Sequence, residues 1–161
     1  MLARLRPIWP LVTLAFSGAM LAGAIFYFQN TLGLAPCPLC LDQRKWHWGV
    51  LGVSAAAFVL TRFKPGWAQW AVMVVGLVLL GSAAMGMYHV AVEQHWVVAQ
   101  CDARIDLGDL DLDTTGSFEV PKCDQIAWQM WGVSMAGWNA IASLIMALLT
   151  FGVAAAREPK L

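Results

Sequence analysis

Four cysteines carry most of the chemistry available to this chain. Cys37-Pro38-Leu39-Cys40 sits at the edge of an apolar run with Arg44 four residues on, and the other two, Cys101 and Cys123, share a later polar segment. Such pairs suit structural disulfides, a zinc site, haem attachment or a redox relay. Haem attachment needs His directly after the close pair, where this chain has Leu41. Zinc sites favour two close pairs, whereas 21 residues separate Cys101 from Cys123. A thioredoxin-type CxxC belongs to a βαβ pattern, and the sequence around Cys37 reads as helical and apolar. A relay fits best, and no metal is expected. Structural disulfides are the competing reading for the distant pair, but a ring closed between Cys37 and Cys40 is too small to staple much of the chain.

Local sequence favours reactivity at Cys40. Pro38 suits a first helical position, which puts Cys37 at the N-cap and Cys40 in the first turn, where unpaired amides and the helix dipole favour a thiolate. Arg44 falls one turn later on the same face. A fixed cation there stabilises a thiolate or polarises a carbonyl oxygen of a bound acceptor. The alternative is an interfacial arginine that snorkels, although the cost of charge at membrane depth makes function the default reading.

The elements that must position these residues are membrane helices. Sixty percent of the 161 residues are apolar, 12% are charged and the mean hydropathy is +0.64, outside the balance of soluble domains. The zero net charge offers no basic surface for nucleic acid. Residues 7–41, 46–61, 65–92 and 125–156 lack Asp, Glu, Lys and Arg, and about 20 residues suffice to cross roughly 30 Å of hydrocarbon. These runs predict an all-α membrane protein, a bundle of four transmembrane helices near 9–29, 41–61, 67–91 and 134–155. The whole chain, 1–161, reads as one transmembrane domain, with outer loops at about 30–40 and 93–133. The first apolar stretch is kept as a helix, because it exceeds a signal-peptide core and its nearest small-residue site is followed by Pro36. Trp9, Trp67, Trp70, Trp96 and Trp138 fall near predicted helix ends, as interfacial anchors do.

Charge sets the expected orientation. Arg4, Arg6, Arg62, Lys64, Arg157 and Lys160 fall on one side with a single acid, Glu158. That side is expected to be cytoplasmic, with both termini inside. The opposite loops hold nine of the ten acids and all four cysteines, which places the cysteines on an oxidising, periplasmic face of a bacterial inner membrane. The acidic stretch with Asp109, Asp111 and Asp113 resembles the start of an EF-hand loop, but Thr114 stands where glycine is required and Val120 where the bidentate glutamate belongs. A solvated acidic loop is the better reading.

The Cys37-Pro38-Leu39-Cys40-Leu41-Asp42-Gln43-Arg44 segment, four spans, a later loop pair and Cys123-Asp124 opening a Trp-rich entry to the last helix together resemble the disulfide bond formation protein B (DsbB) family over nearly the whole chain. The related vitamin K epoxide reductases place the loop pair first, the reverse of the order here. The resemblance implies a membrane thiol:quinone oxidoreductase that reoxidises a DsbA-like periplasmic thioredoxin-fold dithiol oxidase and draws on the membrane quinone pool, ubiquinone or menaquinone. It further implies that Cys101 forms the mixed disulfide with that partner, Cys123 exchanges with Cys37, and Cys40 meets the quinone while Arg44 contacts a quinone oxygen. His89, near the outer end of the third helix, is a candidate quinone donor. His47 lies nearly on the Arg44 face but equally suits an interfacial position between Trp46 and Trp48, and His95 reads as loop. Two alternatives stay open: a dedicated paralogue serving one client system, and a small four-helix transporter or assembly subunit. Transport needs polar residues within the spans, where Asn139 and a few Ser or Thr are nearly all that the sequence shows.

Overall fold

The computed structural model describes residues 2–98 and 122–156. Cys101, the acidic stretch around Asp109, and the terminal Arg157, Glu158 and Lys160 lie outside the described residues. Four long helices dominate: α1 (Trp9–Ala22), α2 (Pro38–Phe63), α3 (Ala68–Glu93) and α4 (Met135–Ala155). The chain is an all-α membrane protein. Three segments, Trp9–Thr31, Pro65–Glu93 and Met135–Ala155, are long and apolar enough to cross a membrane. The fourth helix, α2, carries Asp42, Arg44, Lys45 and Arg62 towards its ends, yet its 26 residues rise about 39 Å at 1.5 Å per residue, ample for a bilayer.

Successive helices pack side by side, and α3 packs most extensively on α4. Small residues permit that closeness: a Cβ on Gly86 would lie 2.9 Å from the Ala140 backbone nitrogen, the kind of approach that drives helix association in lipid. Val50, Ala57, Ala71, Val75, Leu79 and Ala147 fill the centre. Large apolar side chains such as Leu77 and Leu148 point outward, as expected where the surroundings are hydrocarbon. At the end away from the cysteines, Arg6 bonds the backbone of Val153 and Ala156, and Thr61 reaches the Pro7 carbonyl. The structure thus gathers the N-terminus, the α2–α3 turn and the end of α4 at one pole.

The structure departs from the sequence expectations at three places. The first helix does not run as a plain α-helix to residue 29; beyond Ala22 it widens into a π-helical segment, Gly23–Thr31. Two carbonyls there accept side-chain donors, Ala24 from Arg44 and Phe26 from Thr31, and such π turns recur beside functional sites. Second, α2 runs over Pro38–Phe63, longer than the span expected near 41–61, and starts with Pro38 in first position and Cys37 as N-cap, as the local sequence predicted. Third, the expected second loop holds a small hairpin, β1 (Gln129–Met130) against β2 (Val133–Ser134). Its two-residue turn has φ of 52° at Trp131 and 78° at Gly132, the positive pair that a tight hairpin demands. Ser134 then caps α4 by accepting from the Gly137 amide.

Candidate active site

The N-terminus of α2 holds the close cysteine pair. Pro38 occupies the first helical position, and Cys37 Sγ accepts from the Cys40 amide at 3.2 Å, so the sulfur itself is the capping group. The two sulfurs lie 2.6 Å apart; neither cysteine is in a disulfide. Cys37 is buried and Cys40 half-buried. Close contact with Cys40, together with burial, pushes the Cys37 thiol above its ordinary range.

Cys123 comes to the same place from the other side. It is buried, disulfide-bonded, and packs in one cluster with Cys37, Leu39 and Val92, with Cys40 at the edge. His89 links the two. Its Nε2 lies 3.7 Å from Cys37 Sγ, and its ring hydrogen-bonds the backbone of Cys123. The sequence named His89 as a candidate quinone donor; the structure places it between Cys37 and Cys123. One turn on, Glu93 is buried, accepts from Ser134 Oγ, and has Oε1 3.9 Å from His89 Nε2.

Cys37 and Cys40 border a cavity of about 460 Å³, within the range of small-molecule sites. Leu21, Phe28, Trp128 and Met135 supply apolar wall; Cys37, Cys40, Arg44, His89 and Glu93 supply the polar groups. Phe28 from the π-helical segment meets Trp128 edge-on at 5.0 Å between centroids, joining the wall before α2 to the wall before the hairpin. Arg44 does not snorkel outward. It is half-buried, giving Nη1 to Gln29 Oε1 at 2.7 Å and Nη2 to the Ala24 carbonyl at 3.1 Å. Two of its five donors are thereby fixed, and the residue lines the cavity.

Sequence reasoning missed the polar lining deeper in the bundle. His47 is not interfacial: it is buried, bonded to Ser17 and Asn139. Gln43 is likewise buried, between His89 and Asn139. The available signal was spacing, since Cys40, Gln43, Arg44 and His47 fall at helical intervals on one side of α2. The interior is therefore more polar than a count of charged residues implies. For metal, Cys37, Cys40 and His89 offer three donor atoms within 4.8 Å of one another, one fewer than a closed structural zinc site takes.

Cys37, Cys40 and Cys123 are grouped closely enough for thiol–disulfide exchange, beside a mostly apolar cavity with a few polar groups. The family model described as disulfide bond formation protein DsbB matches residues 6–153. Disulfide bond formation protein B of Marinobacter nauticus is 30% identical over 159 residues, covering 89% of this chain and 88% of its own. Disulfide bond formation protein B 2 of Pseudomonas savastanoi pv. phaseolicola is 31% identical, with 92% and 87% covered, and the Nitrosospira multiformis protein is 29% identical, with 96% and 95% covered. No solved structure matches the chain. With nearly every described element inside the matched range, and relatives aligned along most of their own length, the chain belongs to the disulfide bond formation protein B (DsbB) family.

Proposed function

We propose that this protein is a membrane thiol:quinone oxidoreductase that regenerates disulfides in a DsbA-like periplasmic dithiol oxidase. The observation that carries the reading is the single buried cluster of Cys37 and Cys123, with Cys40 at its edge and the apolar cavity against it. The reduced partner attacks the Cys101–Cys123 disulfide through Cys101. The freed Cys123 thiolate then attacks Cys37, so that the Cys37–Cys40 bond breaks and Cys40 leaves with the electron pair. The partner's second thiolate attacks its own mixed-disulfide sulfur, releasing the oxidised partner and the Cys101 thiolate. Attack by Cys101 on Cys123 then restores the first disulfide and releases Cys37, leaving the close pair as a dithiol. A bound ubiquinone or menaquinone supplies the two-electron, two-proton acceptor for that dithiol.

The residues around the cavity suit such a group. The wall is apolar, Arg44 is held by Gln29 and Ala24 with donors to spare, and His89 adds a ring nitrogen beside Cys37. Arg44 and His89 would hold the ring oxygens, and the helix N-terminus at Cys40 favours the thiolate. The distribution of cations, with Arg6, Arg62 and Lys64 at the pole opposite the cysteines, supports termini in the cytoplasm and cysteines on the periplasmic face of a bacterial inner membrane.

The test is direct. Protein purified in detergent and supplied with a quinone and a reduced thioredoxin-fold dithiol oxidase should bleach the quinone absorbance in step with partner oxidation. Partner oxidation without quinone reduction, or neither, would remove the reading.

A further inference from the structure

Five buried polar side chains from all four helices form one continuous file ending at the dithiol. Ser17 in α1 lies 3.2 Å from His47 Nδ1; His47 Nε2 lies 2.8 Å from Asn139 Oδ1; Asn139 Nδ2 donates to Gln43 Oε1 at 2.7 Å; Gln43 Nε2 lies 2.6 Å from His89 Nδ1. Each of the five is at most 8% exposed.

The donor assignments follow from one another. With its amide hydrogens on Gln43, Asn139 turns Oδ1 to His47 and must accept there, so neutral His47 carries its proton on Nε2 and takes the Ser17 hydroxyl on Nδ1. With Oε1 occupied by Asn139, Gln43 must donate to His89 Nδ1. A neutral imidazole with an accepting Nδ1 has its proton on Nε2; Nε2 is the atom 3.7 Å from Cys37 Sγ, and with Nδ1 taken by Gln43 it also makes the ring's bond to the Cys123 backbone. Every donor in the file points the same way, towards the sulfur.

We infer that Ser17, His47, Asn139 and Gln43 are positioning residues that lock His89 in the Nε2–H tautomer and so present a fixed donor to Cys37. The mechanistic use rests on the exchange route proposed above. When the Cys101 thiolate attacks Cys123, the Cys123–Cys37 bond breaks, the Cys101–Cys123 bond forms, and Cys37 leaves with the electron pair. A hydrogen bond from Nε2–H stabilises that leaving thiolate without transferring a proton. Helix packing alone would require only that these polar groups find partners in lipid; it would not require one direction. Turning both amides over keeps the five side chains paired with one another, but puts the proton on Nδ1 and a bare Nε2 at the sulfur and at the Cys123 backbone.

Nitrogen-15 spectra of the full-length, histidine-labelled protein in micelles separate the two arrangements, because protonated and bare ring nitrogens resonate far apart. His47 and His89 should both show Nε2–H. An Nδ1–H signal for His89 overturns the inference, and this measurement requires neither a variant nor turnover. In Asn139→Leu, which keeps volume but removes both amide atoms, His89 should lose its single tautomer. Acid-quenched samples should then accumulate the Cys37–Cys123 species about 5- to 10-fold more than the parent, as expected for the loss of one hydrogen bond, with attack of the partner on Cys101 unchanged. Unaltered tautomer and kinetics in a folded Asn139→Leu protein would overturn the positioning role. Absence of the Cys37–Cys123 species from every sample would strike the exchange route instead, while the tautomer still decides the file.

Discussion

At the pole of the bundle away from the cysteines, the buried polar atoms are mostly hydroxyls satisfied close to home: Thr13 gives to the Pro10 carbonyl, Thr61 to Phe58 and Thr150 to Met146, at 3.0, 2.8 and 2.7 Å. At the dithiol pole they are imidazoles, carboxamides, a carboxylate and a guanidinium, and they reach across helices: His47 to Asn139, Gln43 to His89, Arg44 to Gln29 and Ser134 to Glu93. Among the described residues, neither pole leaves a buried side-chain nitrogen or oxygen without a partner. Both therefore meet the demand of a medium without water, but by different means. At the first pole each threonine is satisfied first within its own helix, with hydroxyl and indole bonds such as Thr13 to Ser54 and Trp9 to Thr150 added across helices, and the packing at the bundle centre is left to Val50, Val75 and Leu79. Bonding across helices makes the geometry at Cys37 and Cys40 depend on all four helices at once.

If the division of labour is real, the largest effect comes from the dithiol. Cys40→Ser should reduce partner-to-quinone turnover in proteoliposomes by at least about 10³-fold, in line with removal of an essential nucleophile, while the protein keeps its helical content. Near-native turnover would mean the acceptor is served elsewhere. Next is the apolar centre of the bundle. Leu79, fully buried, should cost about 2 to 5 kcal/mol on truncation in Leu79→Ala, read by denaturant titration in mixed micelles, with quinone KM and turnover in the folded fraction unchanged. A shift in KM would show that the apolar centre and the dithiol pole are not separable.

Arg44 tests the cross-helix mode at one residue. Loss of a charge-assisted hydrogen bond is worth about 1.5 to 3 kcal/mol, or roughly 10- to 150-fold. Arg44→Ala should accordingly raise the apparent quinone KM within that span, and Arg44→Lys by less, since Lys keeps charge but loses the planar fork. The mixed disulfide with the partner should still form in both. An unchanged KM in folded Arg44→Ala protein would confine Arg44 to bracing the π-helical segment through Ala24 and Gln29.

The same contrast explains what the sequence disclosed. Charge-free runs mark helices because lipid imposes composition directly, and Pro38 after Cys37 marks the N-cap because a missing amide proton has few other uses in a helix. Cys37, Cys40 and Arg44 therefore stood out without a structure. The π-helical turn did not, because its widening is tied to a bond from Arg44, 20 residues away, to the Ala24 carbonyl. The bonds of His47 and Gln43 to Asn139 were equally hidden, since a polar side chain in a span is read as interfacial until its partner on another helix is known. Trp131 and Gly132 form a positive-φ turn that Gly alone hints at, with two paired residues in each strand and too little alternation to read.

The smallest predicted effect lies where the functional pole gives way to loop. His95 follows the Gln94 C-cap of α3 with φ of 59°, and its amide and that of Trp96 return to the Val92 and Ala91 carbonyls. This is the left-handed residue that often closes a helix, a position best filled by Gly or Asn. His tolerates it better than most residues, so the strain to be relieved is slight. Asn suits the conformation without the added backbone freedom that Gly brings to the unfolded chain. His95→Asn should stabilise the protein by about 0.5 kcal/mol, with turnover and quinone KM unchanged, because the His95 side chain is exposed and does not line the cavity. A loss of turnover in a folded His95→Asn protein would extend the functional pole beyond Glu93 into the following segment, and the boundary between the two modes of bonding would have to move with it.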